Sequence, residues 1–418
     1  MNEQANRPEQ IRVFAGKLVN PNFAQHDVVI SVQDGKVTGV SSTAGQVPGP
    51  DDIDARQHTV IPGLIDIHVH GAAGESFFTD CSEKARTFLA SRGTTALLAT
   101  SHPRGPREEF LESLKQLRRR IAQQKPAEGA EILGIHCEGP FMEPSLGAQM
   151  PELCWPINSE NISAVLETAG EDLRLLALSP ELPEAETLIQ EAVDRDVVVA
   201  AAHSQAGAED LERAYRAGLS HMTHIFNATK RPPVATSGVL GVGCDEFTLN
   251  CDGMTAEVIV DCQGFHVNPY WLGILLRCKT RDKVALISDA VTLSGRQPGV
   301  YPQPNGSQLI LREGEDVCWV ESKAKKGLAG SVLTMRDALV NLTRHMQMPI
   351  EEAIECATLT PAKILGLERR KGSIEPGKDA DIVALDEQLK VALTMVAGQV
   401  VFPKRSDSRN GKAAGLER

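Results

Sequence analysis

A chain of 418 residues is longer than one domain usually needs, and 42% hydrophobic with 23% charged residues places it among globular proteins with a large core. The formal charge of -12 argues against nucleic acid or anionic membrane as a partner, and aromatics at 4% argue against a groove that stacks bases or wraps sugar chains. An anionic small substrate stays open, because the local field decides its binding.

The first residues are polar, without the apolar stretch of a signal peptide, and no apolar run approaches the ~20 residues that span a bilayer. The nine cysteines form no CxxC pair and no framework spacing, so reduced thiols and a cytoplasmic location are expected. In chain order, residues 11–19 and 27–32 read as strands, and Asp34-Gly35-Lys36 turns into a third at 37–40. From residue 60 onward, apolar runs alternate with helical stretches. The runs are 60–70, 94–101, 131–138, 173–181, 197–203, 221–227, 254–266 and 283–289; the helical stretches include 82–91, 108–123, 184–194 and 208–217. Eight buried parallel strands with helices between them predict a (β/α)₈ barrel over 61–368, with its chemistry at the strands' C-terminal ends. Near the end, 372–377 leads to a strand at 380–385, and 391–402 reads as a hairpin turning at Ala397-Gly398. Neither chain end has enough apolar surface to fold alone. Residues 1–60 and 369–403 are therefore expected to share one small β-sandwich, and the charged 404–418 to be a disordered tail.

Most of these runs finish on His, Glu or Asp, which packing alone would not select. In His68-Val69-His70, strand alternation sets both imidazoles on one face, an arrangement suited to zinc, iron or a similar cation. Glu138, in His136-Cys137-Glu138-Gly139-Pro140, sits at a strand end where a carboxylate can bind one cation or bridge two. His136 shares its face and reads equally well as a core histidine. Either His203 or His224 alone would pass for a core residue. On adjacent strands, and beside Glu138, they complete three ligands with an open position for water, the number used by catalytic zinc sites. His221 is out of phase with His224 and is expected to be structural. Asp289 closes the last run, where it suits a proton shuttle better than a helix cap. His266 could polarise a substrate carbonyl or serve structure. The glycine-rich 238–243 lacks the strand-to-helix pattern of a phosphate loop. A divalent cation is expected, one or two per subunit, zinc first and iron, manganese or cobalt as alternatives.

The motifs PGLIDIHVHG (62–71), HCEGPF (136–141), AHS (202–204), THIFNA (223–228), SDA (288–290), LAGSVLTM (328–335) and PGKDAD (376–381) carry a resemblance. In them the chain resembles the N-acetylglucosamine-6-phosphate deacetylases of the amidohydrolase superfamily, over roughly 13–402. Related hydantoinases and dihydroorotases use a lysine on the fourth strand, and 173–181 contains none. The resemblance implies Glu138, His203 and His224 as ligands of the main metal and His68 and His70 at a second. It implies Asp289 as general acid and base, His266 on the substrate carbonyl, and Asn227 with Ala228 around the sugar phosphate. It also implies a homodimer whose neighbouring subunit helps to bind that phosphate. Two departures stand out: Gln149 takes the place of a sugar-contacting histidine, and the phosphate-binding arginine is missing before Gly238, leaving Lys230 and Arg231 as nearby cations. Acetamide hydrolysis is the implied reaction. A different N-acetyl amino sugar or deamination of a cyclic nitrogenous substrate are the alternatives. A non-catalytic sugar-binding regulator would have no need of Asp289.

Overall fold

The structure is a computed structural model, and it describes residues 10–403 apart from 22, 79–82, 148–149, 235, 237, 304–305 and 323–325. The expected tail at 404–418 and Gln149 lie outside the described residues.

Eight parallel strands pair in sequence order: β1 (Leu64–Val69), β2 (Thr94–Ser101), β3 (Glu131–Glu138), β4 (Leu173–Leu178), β5 (Val198–Ala201), β6 (His221–Met222), β7 (Thr255–Ile259) and β8 (Val284–Ile287). The seam between the last and first closes just past β8. There Asp289 N donates to His68 O and His70 N to Ala290 O, both at 2.9 Å. The (β/α)₈ expectation holds. Inside the barrel, Ile65, Ile67, Leu98, Leu175, Ala177, Ala200, Ala285 and Ile287 form one packed core. Outside it the helices bury their apolar stripes; in Arg107–Gln123 these are Phe110, Leu114 and Leu117, spaced four and three residues apart. Each such side chain contributes about 1.5–3 kcal/mol by burial, so the strand ends rest on a rigid frame.

Both chain ends share a separate structure, as expected, in the form of one seven-stranded sheet. Gln10–Asn20, Phe23–Gln33, Lys36–Ser42 and Ile53–Pro62 join Ile382–Leu385, Val391–Val396 and Gln399–Phe402, with the last two turning at Ala397-Gly398. Val13, Leu18, Ile30, Val60, Ile382 and Met395 form its own core. An ionic cluster ties this sheet to the base of the barrel: the fully buried Lys371 Nζ lies 2.7 Å from Glu131, 2.9 Å from Asp379 and 2.6 Å from Asp381.

The apolar run 60–70 proves to be two elements. Its first residues end the Ile53–Pro62 strand of the terminal sheet, and Gly63 hands the chain to β1. The runs 221–227 and 254–266 yield only short strands, because their remaining residues turn into the loops that carry His224 and His266. A four-stranded antiparallel sheet from Gly299–Pro302 to Lys326–Ser331 follows β8 and had no counterpart in the sequence reading. Among the described residues, no helix is long and apolar enough to cross a membrane.

Candidate metal centre and active site

The strand ends converge at one mouth of the barrel. Glu138, the last residue of β3, directs its two oxygens to different neighbours. Its Oε1 lies 2.9 Å from His203 Nε2 and 3.2 Å from His224 Nε2, and those two nitrogens are 3.2 Å apart. Its Oε2 lies 3.7 Å from His68 Nε2 and 3.2 Å from His70 Nε2. Asp289 Oδ1 completes this second group, 3.6 and 3.3 Å from the same nitrogens. A four-coordinate cation with bonds of roughly 2.0–2.2 Å sets its donors about 3.3–3.6 Å apart; the second group's spacings of 3.2–3.7 Å match that shell, and the first group's 2.9–3.2 Å are somewhat shorter. His68 Nε2 is fully buried and has no hydrogen-bond partner among the described residues, which is costly unless something fills the position. The residues present therefore fit one or two divalent cations, with Glu138 reaching both seats, and His70, His102 and Glu138 form a third, overlapping donor group.

The backbone is held in place for this. His203, His224 and Asp289 have φ of 45°, 27° and 47°, a conformation that costs a side-chain-bearing residue about 1–2 kcal/mol. Surrounding bonds enforce it. Ser179 Oγ lies 2.9 Å from His203 O, Ile225 N donates to Glu257 O (2.9 Å), and Ser331 N donates to Asp289 O (2.8 Å). Gly147, at φ 75°, must lack a side chain, since a Cβ there would lie 1.8 Å from His203 Nδ1.

A profile of the amidohydrolase family matches residues 59–401. An N-acetylglucosamine-6-phosphate deacetylase of Bacillus subtilis is 31% identical over 393 residues, covering 92% of this chain and 95% of the relative. The chain belongs to the amidohydrolase family. An N-acetylgalactosamine-6-phosphate deacetylase of Escherichia coli O157:H7 is 29% identical, over 90% of this amidohydrolase and 94% of that protein. A crystal structure of the N-acetyl-D-glucosamine-6-phosphate deacetylase of Mycobacterium smegmatis superposes with a TM-score of 0.81 at 27% identity, covering 94% and 100% of the two chains.

Three groups in this amidohydrolase's site escaped the sequence reading. Glu257, buried in β7, takes His68 Nδ1 at 2.5 Å, His221 Nε2 at 3.3 Å and the backbone N–H of His224 at 3.2 Å. This gives His221 the structural part expected of it. Asp66 accepts from Ser288 Oγ (2.5 Å) and from the backbone N–H of His68 (3.3 Å), and burial pushes its pKa up to about 7. His102, the residue after β2, sets its Nδ1 3.2 Å from His70 Nδ1. His136 lies against His68, ring centroids 4.5 Å apart, and burial drives its pKa down to about 3. It belongs to none of the metal-capable groups found among the described residues.

Electrostatics favour anionic oxygens at the mouth. Burial opposes the Glu138 carboxylate, yet the charge of His68 and hydrogen bonds to His203 and His224 hold its pKa well below the usual range. Asp289 is likewise lowered: burial is outweighed by its hydrogen bond to His70 and the charges of His68 and His70.

Beside this centre lies a cleft of about 390 Å³, lined by Phe226, Lys230, Arg231, Phe265, His266 and Trp271 among others. Asp261 Oδ2 accepts from the backbone N–H of His266 (2.8 Å) and lies 3.2 Å from its Nδ1; the buried Nε2 has no partner among the described residues. Asn227 Nδ2 donates to Ile225 O (3.3 Å), and Ala228 has φ 55°. Lys230 is exposed, whereas Arg231 is engaged by Glu246 at 2.5 Å.

Proposed function

We propose that this amidohydrolase hydrolyses the acetamide of N-acetylglucosamine 6-phosphate to glucosamine 6-phosphate and acetate. The observation that carries the reading is the arrangement of metal-capable donor groups around Glu138 with Asp289 on their edge. The named activities of the relatives at about 30% identity over nine-tenths of the chain support the substrate class.

Glu138, His203 and His224 would hold one divalent cation, and His68, His70, Glu138 and Asp289 a second; zinc fits this nitrogen and oxygen set. A cation there supplies Lewis acidity and brings the pKa of a held water towards ~7. Asp289, ionised at neutral pH, takes the proton of the attacking water and returns it to the sugar amine as the C–N bond breaks. His266, aligned by Asp261 at Nδ1, donates from Nε2 to the acetyl oxygen when its ring is protonated. Asn227, Ala228 and Lys230 receive the sugar phosphate, with Arg231 available only if Glu246 releases it. Gln149 is assigned to the sugar. We include in the proposal a cytoplasmic homodimer.

The galacto-configured substrate is the second reading, favoured by a relative of that activity at 29% identity. Acetate and ammonia release should be measured on N-acetylglucosamine 6-phosphate, its galactose epimer and the unphosphorylated sugars. Acetate release fastest on the first supports the proposal. Preference for the epimer selects the second reading, and ammonia without acetate overturns both.

A further inference from the structure

The two histidines of the first strand are backed by different chemistry. A neutral imidazole that lends one nitrogen to a cation must carry its proton on the other, and what accepts that proton fixes the ring's tautomer and orientation. His68 offers Nε2 to the centre, and its Nδ1 faces the Glu257 carboxylate at 2.5 Å. His70 also offers Nε2, 3.2 Å from Glu138 and 3.3 Å from Asp289. Among the described residues, its Nδ1 has no carboxylate or carbonyl hydrogen-bond partner. It meets Nδ1 of His102 at 3.2 Å, with the rings edge to face at 85° and their centroids 4.8 Å apart.

We propose that His102 is a positioning residue of the metal centre: it accepts the Nδ1–H of His70 and so commits His70 Nε2 to the cation seat it shares with His68 and Asp289. The inference rests on the metal-dependent reading above. The geometry orders the protons in one way. With His70 Nε2 bare for the cation, its proton sits on Nδ1 and points at His102. His102 Nδ1 must then be the acceptor, which leaves its own proton on Nε2. The seat is thereby asymmetric. A carboxylate behind His68 raises that ring's basicity, while a neutral ring behind His70 does not, so the seat at Asp289 binds more weakly than one backed by two carboxylates. The other seat, built from Glu138, His203 and His224, makes no use of His102.

The test is cation binding, read without turnover. Apo wild-type protein, His102→Ala and His102→Gln are titrated with Zn²⁺ against a competing chelator, and stoichiometry is checked by elemental analysis. The glutamine amide oxygen can accept the same proton. Wild type is expected to bind two cations. In His102→Ala the binding at the seat of His68, His70 and Asp289 should fall by about 10–100-fold, with that at the other seat and the Tm of the apo protein unchanged. His102→Gln should recover most of the loss. Unchanged affinity for both cations in His102→Ala overturns the proposal, as does equal loss of both with a lowered Tm. Three cations in wild type, with one lost in both variants, would make His102 a ligand and also overturns it. Failure of wild type to bind any cation would instead remove the metal-dependent reading, and this inference with it.

Discussion

Glu257→Gln separates the shape of a buried residue from its charge. Glu257 is fully buried, and its Oε1 accepts from His68 Nδ1 and from the backbone N–H of His224, while Oε2 faces His221 Nε2. Truncation to alanine would strand three buried N–H groups at about 1–3 kcal/mol each, enough to threaten folding and blur the result. Glutamine keeps the amide oxygen for His68 and His224. Its NH₂ meets His221, whose proton can move to Nδ1 and donate to Thr255 Oγ1, 2.7 Å away. The fold should therefore survive, with one change at the site: His68 loses the anion that makes Nε2 a strong donor. The expected cost is a 10–100-fold weaker cation at the seat of His68, His70 and Asp289, or about 1.4–2.7 kcal/mol. Zn²⁺ competition titration with a chelator reads this directly. Wild-type affinity at both seats in Glu257→Gln, with the fold intact by circular dichroism, would refute the argument that second carboxylates tune this centre.

Asp289→Asn cannot take the proton of water, and kcat should fall by about 10²–10⁴-fold in acetate-release assays; normal turnover across pH contradicts the shuttle. Lys371→Met leaves Glu131, Asp379 and Asp381 without their buried counter-charge and should destabilise by about 3–5 kcal/mol in denaturant unfolding at pH 7. Asp379 is held below the usual carboxylate range: burial opposes this, and the charge of Lys371 together with hydrogen bonds to Lys36 and Lys371 and the charge of Arg370 outweighs it. Its share of stability is present above that range and is lost as pH falls through its folded pKa, so the deficit should shrink below about pH 4. A deficit unchanged by pH would exclude this cluster as its source. Replacing Lys230 and Arg231 together by alanine should lower kcat/KM by about 10–100-fold for the phosphorylated sugar and leave the unphosphorylated one unaffected; equal loss on both would place the phosphate elsewhere.

The barrel was legible because its strands are apolar runs ended by polar residues, and β2 and β3 match their sequence runs to the residue. The same pattern brought His68, His70, Glu138, His203, His224 and Asp289 to one mouth. Spacing hid what lies behind them. Glu257 sits inside the apolar run around Ala256 and Val258, where a charge must be partnered; that signal was present, but its partners are set by register with β6 and by the closure that brings β1 within two strands of β7. His102 follows Ser101 at the end of an apolar run much as the proposed ligands end theirs, yet only the packing of His70 against it reveals a purpose. The Gly299–Ser331 strands are short and half-exposed, so they lack the apolar runs by which the barrel strands were found.

Glu138 is the one residue that both donor groups require, one oxygen for each. The most direct test is therefore metal content per chain, measured together with acetate release from N-acetylglucosamine 6-phosphate, for wild type and Glu138→Ala. The account predicts two divalent cations and acetate from wild type, and neither tightly held metal nor acetate from the variant. Full metal occupancy with wild-type turnover in Glu138→Ala would contradict it.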